Sequence, residues 1–256
     1  MEVHRHSHLA AGVTHTKRRK GAHYVWEFFM LFLAVFCGFL AEWKLENTIE
    51  HHREKQFIHS LVEDLKRDTA RLTLYIRFNQ GILNYCDSAQ HLIANTDIFK
   101  NSNSFYDYSS ELARFMRYYP TDRTMQQLKN AGNMRLIRNW NISNAITDYD
   151  NKTKLLTEVD QQLNEQIIKY REYLIEFLDL TSYDKHNPVG SFMDNPAGTK
   201  GNPGYITRDV KTAKIIYNQI FTLKMFFGTV EKSAEAMVAD GERLLDLLQK
   251  EYPSAL

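Results

Sequence analysis

The sequence predicts an all-α protein: one N-terminal transmembrane helix that continues into an extracytoplasmic antiparallel helical bundle with a coiled-coil-like stalk. The first observation is a single strongly apolar run at residues 24–41, YVWEFFMLFLAVFCGFLA. The second is that the long segments after it carry apolar residues every three or four positions, the spacing of one helix face. The third is that only five prolines occur in 256 residues, with no segment alternating as a strand would.

These observations divide the chain into three predicted domains. Residues 1–23 form a disordered, basic, His-rich cytoplasmic tail, residues 24–43 the transmembrane helix, and residues 44–256 the extracytoplasmic helical domain. The tail histidines follow no periodicity and lack a cysteine or carboxylate cluster that would complete a metal site, so we interpret the tail as solvated.

The apolar run is long enough to cross a bilayer. Eighteen helical residues rise about 27 Å, close to the thickness of the hydrocarbon core. Tyr24, Trp26 and Trp43 lie where aromatic side chains meet the membrane interface. Glu27 lies one turn inside the run, within reach of water or the basic cluster, and we interpret it as structural.

The basic cluster before the run sets the predicted topology. Lys17, Arg18, Arg19 and Lys20 precede the apolar residues, and short basic flanks stay in the cytoplasm. A cleaved signal peptide is the main alternative, because the uninterrupted apolar stretch of residues 28–41 falls in its size range. No small-x-small cleavage pattern precedes Ala41, and the residues before Cys37 are too large for a lipoprotein signal, so an uncleaved anchor is preferred.

After the span, the sequence predicts that the helix continues outward as a stalk. A heptad-like seam of three-and-four spacing begins at Ile58 and includes Ile58, Leu61, Leu65, Asp68, Leu72, Tyr75, Asn79, Ile82, Cys86, Ala89 and Ile93. Asp68 and Asn79 interrupt it. Either they specify the register of an oligomer, or the seam twists toward solvent at these positions.

Shorter elements follow the seam. Residues 96–108 are polar, and Asn101, Ser102, Asn103 and Ser104 within them predict a turn. Residues 109–118 predict a short helix that Pro120 ends. Residues 121–132 predict a further helix, capped by Thr121 or Asp122 and closed by Gly132.

Two long helices complete the predicted fold. The first starts at Asn141 or Ser143 and reaches about residue 180, and the second is capped by Thr207 and reaches about residue 250. Between them, residues 181–204 are rich in proline and glycine and predict one irregular loop, which contains no phosphate-binding glycine motif.

Few residues suggest chemistry. The net charge of +1 is too low to indicate a nucleic-acid-binding protein. The sequence also lacks the motifs of common hydrolases, metalloproteases and zinc sites. We therefore predict no enzyme activity, no cofactor and no metal. Tyr118 and Tyr119, before Pro120, form the most pocket-like cluster. For Gly132 two interpretations are open: it supplies the positive φ that a packed helix–turn junction needs, or it belongs to a partner-binding surface.

Three segments carry a resemblance. EFFMLFLAVFCGFLAE, EHHREKQFIHSLVEDLKRDT, and TMQQLKNAGNMRLIRN with ITDYD resemble an uncharacterised group of single-span membrane proteins common in Bacteroidota, with a short His- and Lys-rich N-terminus. The resemblance covers residues 4–160. It implies an inner-membrane location with a periplasmic helical domain, and it carries over no catalytic residue.

Two functional hypotheses fit this sequence. In the first, the protein is a non-enzymatic scaffold or assembly component of the cell envelope, bound to the lipid bilayer and to a second copy or an envelope protein. In the second, the helical domain is a periplasmic sensor that binds a small ligand and signals through a partner subunit. A channel is a poorer fit, because the span has no polar stripe beyond Glu27.

Overall fold

A computed structural model describes residues 18–95, 98–187 and 198–253, with side chains from residue 21. Residues 1–17 of the predicted tail, Lys17 among them, and the middle of the proline- and glycine-rich loop lie outside the described residues, whereas residues 18–23, which the sequence predicts to be disordered, are helical. The side chains of Arg18, Arg19 and Lys20 also lie outside the described part, which leaves the topology cluster as a prediction.

The described residues form helices joined by turns and irregular segments. Its helices are α1 (Arg18–Asn95), α2 (Ser102–Leu112), α3 (Arg123–Asn130), α4 (Trp140–Phe177), α5 (Leu180–Asp184) and α6 (Val210–Glu251), with a 3₁₀ turn at Asn133–Leu136. Within the described ranges there is no strand, and an isolated bridge joins Leu178 to Tyr205. The predicted all-α class is confirmed.

The chain divides into two compact units, Met1–Arg53 and Glu54–Leu256. The described part of the first unit is purely helical and contains the apolar run, none of which is buried. By length and composition this helix is able to cross a membrane, with a mean hydropathy of 2.0 over its most apolar window. Phe28, Phe32 and Phe36 follow one another at four-residue intervals, with ring centroids 6.5 and 6.0 Å apart.

The predicted seam of α1 forms part of the core of the second unit. Every seam position except the half-buried Ile93 is buried. Asp68 and Asn79 are only 2% and 1% exposed, so the interpretation that the seam twists toward solvent there is wrong. Cys86 packs in the same row, where burial raises the pKa of its thiol to about 12, and both Cys37 and Cys86 are free.

Helix α4 runs in the same direction as the seam. Tyr149 bonds to Asp68, and Asp160 further along α4 bonds to Tyr75 further along α1. The helix begins at Trp140, one or three residues before the two predicted starts, because the side chain of Asn139 accepts from the amides of the first turn.

Helix α6 runs in the opposite direction. Tyr252 near its end bonds to Glu54, and Lys224 nearer its start pairs with Asp87. Asp209, rather than Thr207, caps its first turn by accepting from the Thr212 amide at 3.1 Å.

The largest error in the sequence analysis concerns α2. The predicted turn over residues 101–104 is instead the start of this helix, which ends at Leu112 and not near residue 118. Phe105 and Tyr106 are fully buried, so the packing of this face overrides the polar turn signal.

The described ends of the proline- and glycine-rich loop pack against α2. The Tyr106 hydroxyl donates to the Gly204 carbonyl at 2.7 Å, and Tyr205 stacks among Phe99, Phe105 and Phe177 with centroids 4.8 to 6.2 Å away. Helix α5 also lies inside the predicted loop. These ends therefore belong to the core.

Candidate functional site

Three carboxylates of α1 are buried along one face of the second unit. Glu54, Asp64 and Asp68 are only 1, 2 and 2% exposed, and we call them the carboxylate row. Removing a carboxylate from water is costly unless donors surround it, so the partners of each one reveal what it does.

Asp68 is the best connected of the three. Its Oδ2 accepts from the hydroxyls of Tyr118 and Tyr149, each at 2.9 Å, and its Oδ1 accepts from the amide of Thr121 at 3.0 Å. Arg71 lies beside this group and donates to the Thr121 hydroxyl at 3.1 Å. One carboxylate thus joins α1 to α4 and to the segment between α2 and α3.

The two tyrosines are fixed as donors. Burial raises the pKa of both hydroxyls, and the negative charge of Asp68 raises it further. Tyr118 and Tyr149 therefore stay protonated at physiological pH. The arrangement is suited to holding a structure rather than to proton transfer near neutral pH.

Asp64 lies on α1 and caps the N-terminus of another helix, α3. Its Oδ2 accepts from the amide of Thr124 at 3.1 Å and from the Thr124 hydroxyl at 2.5 Å. Asp122, at the N-cap position of α3, makes no capping bond and accepts from Gln126 instead. An α1 carboxylate therefore satisfies an amide in the first turn of α3, where negative charge is favourable.

Glu54 joins three distant parts of the chain. It accepts from the Arg138 amide at 2.8 Å and from the Tyr252 hydroxyl at 2.7 Å, and the Arg138 guanidinium lies 3.8 Å away. The start of the second unit, the segment before α4 and the end of α6 meet at this residue.

A fourth buried carboxylate lies on α4. Asp160 is 5% exposed and accepts from the Tyr75 hydroxyl at 2.5 Å. Burial raises the pKa of Asp160 above its usual range, although the bond from Tyr75 acts in the opposite direction.

A small cavity lies beside the carboxylate row. It has a volume of about 20 Å³ and is lined in part by Asp64, Asp68, Pro120 and Thr121. This volume holds roughly one water molecule, whereas ligand pockets usually have about 300–1,000 Å³. The cavity is too small for a metabolite.

The row is also not arranged as a metal centre. Among the residues that the structure describes, no group of three or more His, Cys, Asp or Glu side chains is placed to hold a metal ion. His59 lies 3.6 Å from Glu63 in an exposed pair on α1.

The predicted pocket cluster is divided between core and surface. Tyr118 is 4% exposed and bonds to Asp68, whereas Tyr119 is 64% exposed and contributes its carbonyl oxygen to Arg71. The two rings therefore do not line one pocket. Gly132 has φ +64° and follows α3, so its predicted positive φ is confirmed.

The predicted anchor residues lie on the first part of α1. Tyr24, Trp26 and Trp43 are exposed, by 67, 64 and 58%. Glu27 lies 3.2 Å from His23, one turn earlier on the helix. An exposed aromatic surface of this kind suits lipid better than water.

A shallow apolar groove lies between α4 and α6. It has a volume of about 210 Å³, and we call it the α4–α6 groove; it is lined by Lys152, Leu155, Leu156, Val159, Ser233, Ala236, Met237 and Asp240. Leu155 is 60% exposed at its edge, and an ion pair between Lys152 and Asp240 closes one end. The small side chains of Ser233 and Ala236 leave the space that forms the groove.

The predicted seam includes Asp68 but not the other three buried carboxylates. Asp160 had a readable signal, because it takes the place of an apolar residue between Leu156 and Leu163 on the buried face of α4. Glu54 and Asp64 lie among many charged residues of α1 and carry no such signal. The α4–α6 groove combines residues about 80 positions apart, which periodicity does not relate.

Comparisons with family models, with curated proteins and with solved structures found no match to the chain. The resemblance to single-span Bacteroidota proteins therefore stays a prediction.

Proposed function

We propose that this chain is a non-enzymatic, single-pass membrane protein whose helical domain binds another protein. In this proposal it acts as a scaffold or assembly component of the cell envelope. The partner is a second copy of the chain or another envelope protein. The observation that carries the proposal is the α4–α6 groove, a surface depression with an apolar floor and the exposed Leu155 in its lining.

Anchoring is supported by the first part of α1. Its most apolar window has a mean hydropathy of 2.0 and no buried residue, so these side chains require an apolar environment from outside the described chain. The basic cluster at residues 17–20 favours a cytoplasmic N-terminus and a periplasmic domain. The location in the inner membrane rests on the resemblance.

A bundle arrangement is supported by the directions of the helices. The part of α1 after Glu54 and α4 ascend together, while α6 and the segment from Tyr118 to Arg138 descend. Up-and-down packing of this kind is typical of four-element helical bundles. The carboxylate row serves this arrangement by holding the irregular descending segment against α1.

The binding proposal follows from the chemistry of the groove. Its floor is apolar, through Leu156, Val159 and Met237, and its rim carries the Lys152–Asp240 pair. Apolar centres with charged rims are common in protein–protein interfaces. A leucine or aromatic side chain of a partner helix would cover Leu155 and fill the depression left by Ala236.

The test is the mass of the cross-linked full-length protein in detergent, compared between two lysine variants. We expect a species heavier than the 30.1 kDa monomer. Leu155→Lys, in the groove, should abolish this species, and Leu74→Lys, at a similarly exposed leucine of α1 outside the groove, should leave it unchanged. Masses at multiples of the monomer indicate a second copy, and other masses a different partner. A monomer with no cross-linked partner contradicts the proposal.

A further inference from the structure

Trp140 is exposed more than the fold requires. It is 74% exposed, above every other large apolar residue described in the chain, including those of the apolar run. Its position at the first residue of α4 does not explain this, because Asn139 already caps the helix. An exposed tryptophan gives up the favourable burial of a large apolar ring, and its apolar ring and polar N–H together suit contact with an interface that is apolar on one side and wet on the other.

Trp140 lies at the end of the second unit where the chain enters it. The Arg138 amide, two residues earlier, bonds to Glu54 at 2.8 Å, and Tyr252 bonds to the same carboxylate at 2.7 Å. Glu54 is the first residue of the unit. We call this the entry end. Only ten residues, 44–53, separate Trp43 from Glu54, so the entry end follows the proposed span closely in sequence.

The surroundings of Trp140 are basic in sequence. No Asp or Glu occurs between Asp122 and Asp148, a stretch that contains Arg123, Lys129, Arg135 and Arg138. Arg123, Lys129 and Arg138 lie near carboxylates of the unit. Arg135 is exposed and forms no ion pair with a described residue. Its charge therefore remains available to an anionic partner.

We propose that Trp140 and Arg135 form a second membrane contact, to the headgroups of anionic phospholipids. The indole lies at the headgroup level, where its apolar ring and polar N–H are both satisfied, and the guanidinium binds lipid phosphate. The contact rests on the proposed membrane anchoring, and it goes further because it makes the domain itself, and not only the span, a membrane-binding element.

The test uses the full-length chain with Trp26→Phe and Trp43→Phe, so that Trp140 is the one remaining tryptophan. The protein is placed, one copy per disc, in lipid nanodiscs of phosphatidylcholine with or without phosphatidylglycerol. Emission wavelength, acrylamide quenching and quenching by lipids brominated near the headgroup are measured. In anionic discs we expect a shift to shorter wavelength, a loss of acrylamide quenching, and quenching by the brominated lipids.

Charge reversal tests the role of Arg135. Arg135→Glu should restore acrylamide quenching in anionic discs, and Arg77→Glu, at an exposed arginine of α1 outside the entry end, should not. Equal protection in neutral and anionic discs overturns the charge contribution. Protection from acrylamide without quenching by brominated lipid indicates a protein neighbour and overturns the lipid contact.

Two failures are distinguishable. A chain that inserts into the discs but keeps Trp140 in water overturns only this inference. A chain that does not insert at all overturns the proposed anchoring as well.

Discussion

Residues 24–43 and residues 58–89 lie in the same helix, α1, but present different surfaces. In the first stretch apolar side chains cover all sides and remain exposed, so Phe28, Phe32 and Val35 are 70, 54 and 68% exposed. In the second, most apolar side chains follow one face and are buried, with Asp64 and Asp68 among them, while Leu74 lies outside that face and is 57% exposed. The comparison shows that periodicity, rather than apolar content alone, separates a surface suited to lipid from one suited to a protein core.

The two stretches also differ in where their acidic residues lie. Glu27 lies near the start of the apolar run, beside His23. Asp64 and Asp68 are deep in the core, where five donors from other elements bond to them. These donors are the hydroxyls of Tyr118, Thr124 and Tyr149 and the backbone amides of Thr121 and Thr124. Burial of charge is therefore tolerated where the chain itself provides the donors.

The largest expected effect comes from breaking the buried face. Asp68→Ala leaves the hydroxyls of Tyr118 and Tyr149 and the Thr121 amide without their acceptor, so the free energy of unfolding should fall by about 3–5 kcal/mol. Urea unfolding followed by circular dichroism measures this loss. Asp148→Ala, at an exposed aspartate of α4, should change it little. Equal losses in the two variants would show that the Asp68 contacts do not stabilise the fold.

The second effect concerns the apolar stretch. Val35→Arg places a charge near the centre of the proposed span and should raise the apparent free energy of membrane insertion by about 3 kcal/mol. Leu74→Arg, on the solvent side of the second stretch, should leave insertion unchanged, although the two residues are similarly exposed. An insertion assay in microsomes or inverted vesicles measures both. The same response to both substitutions would remove the distinction between the two stretches.

The third effect tests how closely α6 approaches the buried face of α1. A Cβ at Gly241 would lie 2.8 Å from Thr69 Cγ2 and 3.4 Å from Tyr149 Cε2. Gly241→Ala should therefore destabilise by about 1–2 kcal/mol, because overpacking outweighs the gain in helix propensity. Gly228→Ala, on the same helix with no atom within 4 Å, should stabilise by roughly 0.5–1 kcal/mol. Thermal unfolding resolves the opposite signs, and a stabilised Gly241→Ala would mean that the helices are less tightly packed.

The smallest effect is a dependence on pH. Because burial raises the pKa of Asp160, the native state takes up a proton at a higher pH than the unfolded chain does. As the pH falls through this raised pKa toward 3.8, the stability of the wild type relative to Asp160→Asn should increase, and it should level off below 3.8. Unfolding free energies of both proteins across this range measure the difference. A difference that decreases with falling pH would mean that Asp160 is stabilised in its charged form.

Much of the fold was predictable because burial imposes a period on the sequence. The seam from Ile58 and the buried face of α4 followed from three-and-four spacing alone, and Asp68 stood out as an interruption of it. The partners of Asp68 did not follow, since Tyr118, Thr121 and Tyr149 are 50 to 81 residues away. Local patterns contain no information about contacts at that separation.

The boundaries of α2 and the position of the groove were not predictable for related reasons. Asn101 and the serines after it have the composition of a turn, and the deep burial of Phe105 and Tyr106 decided in favour of a helix. Leu155 and Ala236 each fit a regular helix, and only the packing of α4 on α6 places them in one groove.

Photo-crosslinking from three positions in intact membranes tests the central claim most directly, namely that α1 anchors the chain in lipid while the α4–α6 groove binds a protein. A photoreactive residue replaces Val35, Leu74 or Leu155 in the full-length chain. The account predicts a lipid adduct from position 35, a protein adduct from position 155 and neither from position 74. The absence of a lipid adduct at position 35 contradicts the anchor, and the absence of a protein adduct at position 155 contradicts the binding surface.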